Sequence, residues 1–323
     1  MTSAIRIGVV GTGFGARVVA PVFAATDGCE VVDVVSARDA SAVKELCRRD
    51  LDLVSIHSPP FLHAEHVRAA VGAGHHVLCD KPFGVNATEA AEMLEDAEAG
   101  EVVHAVNFEF RHQPARRRVH DLVRSGAIGH VSHVQWTYTG AVFGRPLREY
   151  GWLFDRSRGG GWVGAWGSHA VDGLRWMLGD IRDATARCRI TIPERPDSDG
   201  VPRAVDAEDA FTALLGFESG STALLDSSSS APASVASRIV VTGSEGVLEI
   251  VADAKVVWRH ADGTREELGD ETVGSRKGED PHLVPMRRWA ERVRDAVRGG
   301  EPLVPSFADG LACRRVLDHI LAG

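Results

Sequence analysis

A glycine-rich turn near the amino terminus constrains the fold of this chain more than any other feature. The apolar run at residues 5–10 leads directly into the turn at residues 11–16 (GTGFGA), and a helix-compatible stretch follows at residues 17–25. Glycine lets a backbone turn sharply and approach a ligand closely, and free amide groups at a helix N-terminus attract anions. The pattern therefore predicts a loop that binds the pyrophosphate of a dinucleotide through Gly11, Gly13, Phe14, Gly15 and Ala16.

Strand-like and helix-like segments alternate over the first 110 residues. Strands are predicted at residues 5–10, 30–35, 51–57, 76–79 and 102–108, and helices at residues 17–25, 40–49, 63–73 and 86–98. Asn86 or Thr88 is expected to cap the last of these helices. Strands that alternate with helices at this spacing predict a doubly wound parallel sheet, covered on both faces, of the Rossmann type.

The pattern changes after residue 111. Helices are predicted at residues 114–125, 282–298 and 307–322, and strands at 131–139, 185–192, 209–217, 221–227, 237–242, 246–250 and 254–259. Successive strands with short turns between them predict an α+β domain with a mostly antiparallel open sheet. Since 323 residues exceed the usual size of a single core, we expect two domains. They are a dinucleotide-binding domain at 1–111 and a substrate-binding and oligomerisation domain at 112–323.

The composition narrows the class of partner. The net charge of −9 argues against nucleic acid or an anionic membrane surface as the main partner, so a small molecule is expected. The five cysteines are scattered without a C-x-x-C spacing, which is typical of reduced thiols. No apolar run approaches the ~20 residues of a membrane span, and the opening run resembles a strand more than a signal peptide. A cytoplasmic location is therefore expected.

The end of the second predicted strand bears on the choice of cofactor. A carboxylate at this place would bind a ribose 2′-hydroxyl and repel a 2′-phosphate. Ser36 and Arg38 stand there, and both can bind a phosphate, so the residues favour NADP. Asp39 follows one position later and keeps NAD as an alternative.

Six further motifs follow the glycine turn in a fixed order, and the first five are given next. They are the segments at residues 58–63 (SPPFLH), 74–82 (GHHVLCDKP), 107–111 (NFEFR), 125–129 (SGAIG) and 159–172, which runs from three glycines to His169 and Asp172. Pro305-Ser306-Phe307-Ala308-Asp309-Gly310 closes the series. With these motifs the chain resembles the glucose-fructose oxidoreductase / inositol dehydrogenase / rhizopine-catabolism (Gfo/Idh/MocA) family over nearly its whole length.

The resemblance implies an NAD(P)-dependent oxidoreductase that acts on a sugar, cyclitol or similar polyol. It places Lys81 and His169 in catalytic roles, and it implies substrate contacts from Lys81, Trp166, His169 and Asp172. The remaining implied cofactor contacts are Ser58, Pro59, Pro60, His63, Asp80, Lys81, Pro82 and Asn107. His63 is expected to cap the helix beside the cofactor. The family also implies a homodimer or homotetramer that associates through the exposed face of the second sheet.

Three departures from the family pattern are visible. Asp80 stands where the family has glutamate, and Ala165 stands where it has a catalytic aspartate. The interval between Arg38 and Leu51 is too short for the usual strand and crossover, so one strand of the first sheet is expected to be missing.

Several alternatives remain open at this stage. Besides the oxidoreductase, the loss of the aspartate at position 165 allows a second hypothesis, a degenerate nucleotide-binding sensor or scaffold. A lyase or hydrolase that uses NAD transiently is a third hypothesis. Asp172 either orients His169 or is structural. The tryptophans at 152, 162, 166 and 176 form either a wall that stacks on sugars or part of the core. The histidines at 57, 63, 66, 75 and 76 lack the spacing of a metal site, so no metal is predicted.

Overall fold

The computed structural model describes residues 3–269 and 280–323. Contacts between backbones divide these residues into two compact units. Unit 1 comprises residues 3–112, 157–159 and 280–315, and unit 2 comprises residues 113–156, 160–269 and 316–323. The sequence predicts that everything after residue 111 belongs to the second domain. The structure differs from this prediction because residues 280–315 belong to unit 1.

Unit 1 is built on a five-stranded parallel sheet. Its strands are β1 (Ile5–Val10), β2 (Cys29–Val35), β3 (Leu53–Ile56), β4 (His76–Cys79) and β5 (His104–Val106). They lie in the order β2-β1-β3-β4-β5, with every neighbouring pair parallel. All four residues of β3 are buried, as expected for a central strand covered on both faces. The predicted parallel fold is confirmed.

Four helices accompany this sheet. They are α1 (Ala20–Ala24), α2 (Ala40–Cys47), α3 (His63–Gly72) and α4 (Ala87–Ala99). Two of them, α2 and α4, begin at a side-chain cap. The side chain of Asn86 accepts a hydrogen bond from the Glu89 N–H at 2.9 Å, so Asn86 and not Thr88 caps α4. Every residue between β2 and β3 is described, and α2 is the regular element there. The predicted loss of a strand in this interval is therefore confirmed.

Unit 2 contains a mixed, mostly antiparallel sheet flanked by helices. The helices are α5 (Pro114–Arg124) and α6 (Ser168–Leu178). The strands are β6 (Val131–Thr139), β7 (Ile181–Arg189), β8 (Glu194–Pro196), β9 (Pro202–Ala204), β10 (Ala210–Phe217), β11 (Thr222–Ser228), β12 (Val235–Gly243), β13 (Gly246–Val251), β14 (Lys255–His260) and β15 (Arg265–Glu267). Eight of them follow the order β15-β14-β13-β12-β6-β11-β10-β7, and β8 pairs with β9. Only β6 and β11 pair in parallel among these described strands.

Strand register sorts the side chains of the large sheet onto two faces. One row of paired residues is buried across seven strands: Ala186, Ala213, Leu225, Trp136, Ile239, Ile250 and Val256. The adjacent row points the other way because side chains alternate along a strand. Its central members are Leu214, Leu224, Gln135 and Val240, and Leu214 is 53% exposed. One face of the sheet is therefore core and the other is accessible.

Two helices close the chain, α7 (Leu283–Val297) and α8 (Phe307–Ala322). Helix α7 joins unit 1 because its apolar stripe completes the core of that unit. Met286, Trp289 and Val293 lie three or four residues apart, are buried, and belong to one cluster with Val19 and Phe23. The stripe is visible in the sequence, but which sheet it packs against is not.

The predicted strands of unit 2 are found with shifted ends. Strand β7 begins at Ile181, where the sequence predicts a start at residue 185. Strands β8, β9 and β15 are not predicted, because three residues are too few to show an alternating pattern. None of the five cysteines, all of which lie among the described residues, forms a disulfide. None of the helices in the described ranges is both long enough and apolar enough to cross a membrane.

Candidate cofactor and catalytic sites

A staircase of backbone hydrogen bonds forms the carboxyl edge of the parallel sheet. The residue that follows a strand donates its N–H to the last residue of the neighbouring strand. The four bonds join Gly11 to Val35, His57 to Val10, Asp80 to Ile56 and Asn107 to Cys79, with N to O distances of 2.7–2.8 Å. Residues from four distant parts of the sequence are thereby fixed side by side. This edge of an open α/β sheet is the usual place for a bound ligand.

The glycines of the 11–16 turn have different reasons to be glycine. Gly11 has a φ of +130°, and a Cβ there would lie 2.5 Å from the His57 carbonyl oxygen. A Cβ at Gly15 would lie 3.1 Å from Cβ of His57. A Cβ at Gly13 would meet no atom of residues 3–269 and 280–323 within 4 Å. Because neither packing nor φ requires glycine at position 13, the open space there fits the approach of a dinucleotide.

The glycine turn is also accessible and leads directly into a helical turn, as a site for an anionic ligand requires. Gly13 is exposed, while Phe14 and Ala16 are partly buried. The chain continues as a π-helical turn, Gly15–Val19, before α1 begins. Such turns occur often at functional sites. The residues present therefore fit the nicotinamide dinucleotide that the sequence predicts.

Asp39, the residue that keeps NAD as an alternative cofactor in the sequence, is the N-cap of α2 in the structure. Its carboxylate caps α2 by accepting hydrogen bonds from the N–H groups of Ser41 and Ala42 at 3.1 and 3.0 Å. The Ser41 hydroxyl adds a third bond at 2.6 Å, and these bonds lower the pKa of Asp39. Arg38 is exposed, and its N–H donates to the Ser36 hydroxyl at 3.3 Å. The carboxylate at this strand end is therefore committed to the helix, whereas Arg38 presents an exposed cation there.

His63 is buried and packs within the predicted cofactor-binding segment at residues 58–63. It has no exposed surface, and its Nε2–H donates to the Ser58 carbonyl at 2.8 Å. Burial lowers the pKa of His63 to about 4, so the ring is neutral at neutral pH. The N-cap of α3 is Leu62 and not His63, which corrects the prediction that His63 caps this helix. Around it Ser58 and Pro60 are also buried, and Pro59 is partly exposed.

The other clustered histidines have structural partners. Nδ1 of His66 lies 3.0 Å from the Ser58 hydroxyl. The two ring nitrogens of His75 lie 2.9 and 2.8 Å from the carbonyl oxygens of Leu51 and Cys47. His76 accepts a hydrogen bond from a backbone N–H. Among the described residues no three His, Cys, Asp or Glu side chains are grouped as a metal site.

A buried carboxylate fixes the peptide of Lys81. Oδ1 of Asp80 accepts hydrogen bonds from the Lys81 N–H at 3.0 Å and from Nδ2 of Asn107 at 3.3 Å. Burial alone would raise the pKa of Asp80, but the bond and charge of His57, with the charge of Lys81, outweigh burial and lower it to about 2. Lys81 is partly exposed, Pro82 is buried, and Asn107 has no exposed surface. Asn107 therefore supports the site through Asp80.

A second buried pair, which the sequence does not predict, lies beside the glycine turn. Nδ1 of His282 bonds Oε1 of Glu109 at 2.5 Å, and Glu109 is 1% exposed. The ring of His282 packs edge-on against Phe14 of the glycine turn, with centroids 4.9 Å apart. Burial would lower the pKa of His282, but the hydrogen bond and charge of Glu109 raise it above its usual value. A cation near the predicted pyrophosphate loop suits an anionic ligand.

The sequence offers a partial signal for this pair. Glu109 lies inside the NFEFR motif, where an acidic residue between two phenylalanines is unusual for a core segment. His282 offers no signal, because it reaches the loop from a point 268 residues later in the chain.

In unit 2, the predicted catalytic segment begins with a π-helical turn, Val163–Gly167, that continues into α6. A buried carboxylate sets its start: Oε1 of Glu208 accepts the Val163 N–H at 2.9 Å. Ala165 lies in the turn, and His169 and Asp172 lie on the first turns of α6, 7% and 2% exposed. Glu208 is a positioning group that the sequence does not reveal.

The predicted tryptophan wall divides into core and surface. Trp162 is buried, and its Nε1–H donates to the Ser227 hydroxyl at 2.8 Å. Trp166 is partly exposed and stacks near Trp162 and Tyr138, with centroids 6.3 and 5.8 Å apart. Trp176 stacks on a histidine elsewhere in unit 2. Within this cluster, Trp166 is the tryptophan whose exposure suits contact with a ligand.

Two family profiles match this chain. Residues 5–108 match the profile described as "Oxidoreductase family, NAD-binding Rossmann fold", and residues 116–249 match "GFO/IDH/MocA C-terminal domain". The first match contains the glycine turn and Lys81. The second contains the segment from Ala165 to Asp172.

Named relatives are sugar-active enzymes. D-apiose dehydrogenase of Paraburkholderia graminis is 30% identical over 80% of this chain and 70% of its own length. Levoglucosan dehydrogenase of Pseudarthrobacter phenanthrenivorans is 29% identical over 56% of this chain. The chain spans 50% of the length of that enzyme, and 61% of an uncharacterized oxidoreductase of Synechocystis sp. that is 31% identical over 65% of this chain.

Solved structures share the whole architecture. An oxidoreductase domain protein from Kribbella flavida, 26% identical, superposes with a TM-score of 0.85 over 100% of this chain and 97% of its own. The order of motifs, the two profile matches and this likeness agree. The chain belongs to the Gfo/Idh/MocA oxidoreductase family and carries its NAD-binding Rossmann fold.

Proposed function

We propose that this protein is an NAD(P)-dependent oxidoreductase that transfers hydride between a nicotinamide and a carbinol carbon of a sugar, cyclitol or similar polyol. Gly13 carries the proposal, since no contact within the described part of the chain explains why that position lacks a side chain. The names of the relatives, D-apiose dehydrogenase and levoglucosan dehydrogenase, support the substrate class.

The nicotinamide, when bound, accepts or donates the hydride. The protein must then move the hydroxyl proton, and two of its groups are suited to do so. Lys81 is partly exposed at the carboxyl edge of the first sheet, with its peptide held by Asp80. His169, at the start of α6, is a residue type that titrates near neutral pH. We assign the proton transfer to Lys81 and a substrate-orienting role to His169.

The competing functions are less well supported. A degenerate sensor would bind nucleotide without needing both Lys81 and His169, and this chain keeps both. A lyase or hydrolase that uses NAD transiently would consume substrate with no net change in the absorbance at the reduced-nicotinamide wavelength. A polyol panel followed at that wavelength, together with product analysis, separates these functions.

Gly13→Glu tests the cofactor loop. The side chain enters open space at an ordinary φ, so the melting temperature without cofactor should stay near that of the wild type. Its charge and bulk would occupy the place of the pyrophosphate, and cofactor affinity measured by calorimetry should be lost. Gly72→Glu is the control, because Gly72 is also open and lies in the same unit. Wild-type cofactor affinity in Gly13→Glu would refute the proposed site.

Arg38→Ala tests the preference for NADP. A contact between a guanidinium and the 2′-phosphate contributes about 1.5–3 kcal/mol, which corresponds to a roughly 10- to 100-fold weaker binding of NADPH. NADH has no phosphate there, so its affinity should change little. Arg48→Ala, an exposed arginine just after α2, is the control. Equal losses for NADPH and NADH would show that Arg38 does not distinguish them.

Lys81→Met tests the proton transfer. We expect kcat to fall by about 10²- to 10⁴-fold, the usual contribution of general acid–base catalysis, while the Kd of the cofactor stays nearly unchanged. His169→Ala should mainly raise KM if His169 orients substrate. The opposite outcome, a small effect in Lys81→Met and the large fall in His169→Ala, would transfer the proton role to His169.

We also propose that the accessible face of the eight-stranded sheet joins two copies of the chain in a symmetric dimer, or two such dimers in a tetramer. The row of Leu214, Leu224 and Val240 supports this, since apolar residues on an open sheet face suit burial against a partner.

Leu214→Glu should lower the mass measured by light scattering at micromolar concentration, because a buried unpaired charge opposes association. Leu147→Glu, which is similarly exposed outside the sheet, is the control and should not change the mass. A wild-type protein that is already monomeric would contradict the proposal.

A further inference from the structure

His57 occupies the place where the glycine turn and the Lys81 segment meet. It follows β3 directly, and its side chain has no exposed surface. The sequence shows it only as one of several clustered histidines. In the structure it contacts groups on two sides, and each contact bears on the proposed chemistry.

On one side His57 forms the floor of the glycine turn. Its carbonyl oxygen would lie 2.5 Å from a Cβ at Gly11, and its own Cβ would lie 3.1 Å from a Cβ at Gly15. Its ring also contacts the ring of Phe14 edge-on, with centroids 5.8 Å apart. His57 therefore limits the space for a side chain at both glycines, together with the φ of +130° at Gly11 and with Val9, whose Cγ1 would also lie 3.1 Å from a Cβ at Gly15.

On the other side the imidazole reaches Asp80. Nδ1 lies 3.3 Å from Oδ2 of Asp80, which is within ion-pair distance, although the two groups are not aligned as a full hydrogen bond. An ionised carboxylate can only accept, so the proton is on Nδ1. At Nε2 the Ser55 hydroxyl lies 2.7 Å away. In a neutral ring that hydroxyl donates to Nε2, which fixes the tautomer that serves Asp80.

The second oxygen of the same carboxylate holds Lys81. Oδ1 of Asp80 accepts the Lys81 N–H at 3.0 Å, while Oδ2 faces His57. The contact with His57 at Oδ2 and the bond from Nδ2 of Asn107 to Oδ1 both restrain rotation of the carboxylate, so Oδ1 presents an oriented acceptor to the Lys81 peptide. The chain of contacts runs from Ser55 through His57 and Asp80 to Lys81.

The Ser, His and Asp of this array are not a nucleophilic triad. Ser55 lies inside β3 and has no exposed surface, so no substrate carbonyl can reach its hydroxyl. When the ring is neutral the hydroxyl is also the donor to the imidazole, whereas a nucleophile would give up its proton to the base. We therefore interpret Ser55, His57 and Asp80 as residues that position other groups and do not attack a substrate.

We propose that His57 is a positioning residue that couples the dinucleotide loop to Lys81, through its backbone under the glycine turn and its imidazole on Asp80. The inference rests on the proposed function, in which Lys81 transfers the proton. A change at the His57 ring should then disturb the order of the Lys81 peptide and kcat more than it disturbs cofactor binding.

Two substitutions that replace the imidazole of His57 with an amide side chain test its two ring nitrogens separately. In His57→Asn the amide lies near the position of Nδ1 and can still donate to Asp80. In His57→Gln it reaches the position of Nε2 and can bond Ser55, but it leaves Asp80 without this donor. Both variants lose the ring contact with Phe14, so a difference between them reports the contact with Asp80.

Two measurements are made on each variant. The first is hydrogen exchange of the Lys81 amide without cofactor, and the second is kcat and KM with the best polyol. In His57→Gln we expect exchange at Lys81 to be about tenfold faster or more, since a bond to a charged group is weakened. We expect kcat to fall by up to about 100-fold, the effect of a small misplacement, with little change in the KM of the cofactor. His57→Asn should recover most of both losses.

His75→Gln is the control for the loss of a buried imidazole, because His75 lies just before the other end of β4 and its ring nitrogens face the backbone oxygens of Leu51 and Cys47. It should leave Lys81 exchange and kcat at their wild-type values. If His57→Gln fails to fold, Ser55→Ala provides the second test. It removes the hydroxyl that fixes the tautomer and should shift both measurements in the same direction by a smaller factor.

The inference is overturned if His57→Asn and His57→Gln behave alike in both measurements, or if Ser55→Ala leaves both at wild type when His57→Gln does not fold. Failure of the proposed function would look different. In that case Lys81→Met would retain full turnover, while exchange of the Lys81 amide would still separate the two His57 variants.

Discussion

The hydrogen-bonded staircase at the carboxyl edge of the parallel sheet is the constraint on which the rest of unit 1 depends. After β1, β3, β4 and β5, the next residue donates its N–H to the carbonyl oxygen of the last residue of the neighbouring strand. This sets Gly11, His57, Asp80 and Asn107 side by side, although nearly 100 residues separate the first from the last. A parallel sheet brings all its carboxyl ends to one edge, so a few backbone bonds assemble a site that no local segment could form.

Two carboxylates near that edge are each paired with a histidine. Asp80 is held by His57, and Glu109 is held by His282. A buried carboxylate without partners would be costly, so each acid requires a donor, and the donor is thereby fixed in orientation. In both pairs the donor is a histidine that also packs against Phe14 of the glycine turn. The same contacts that satisfy the buried acids therefore shape the loop where the dinucleotide is expected.

Local patterns in the sequence predict much of this arrangement. The alternation of strands and helices, the glycine turn and the cap at Asn86 are each set within a dozen residues, and the structure agrees with them. The prediction that His63 caps α3 is wrong, because its ring turns inward to the Ser58 carbonyl. The assignment of α7 to the second domain differs from the structure for a related reason. An amphipathic stripe shows that a helix must bury one face, but it does not identify the partner.

The sequence by itself determined that the chain has a dinucleotide-type loop and a parallel sheet followed by a mostly antiparallel one. These features depend on residue type and short-range spacing, which a linear sequence records directly. The candidate chemistry at Lys81 and His169 came from the resemblance of its motifs to those of a family. Only the tertiary structure decided that Asp39 serves α2, that Glu109 pairs with His282, and that His57 links the loop to Asp80. Those outcomes depend on hydrogen-bond distances between residues far apart in the chain. Such distances are set by strand register and packing, which no local pattern encodes.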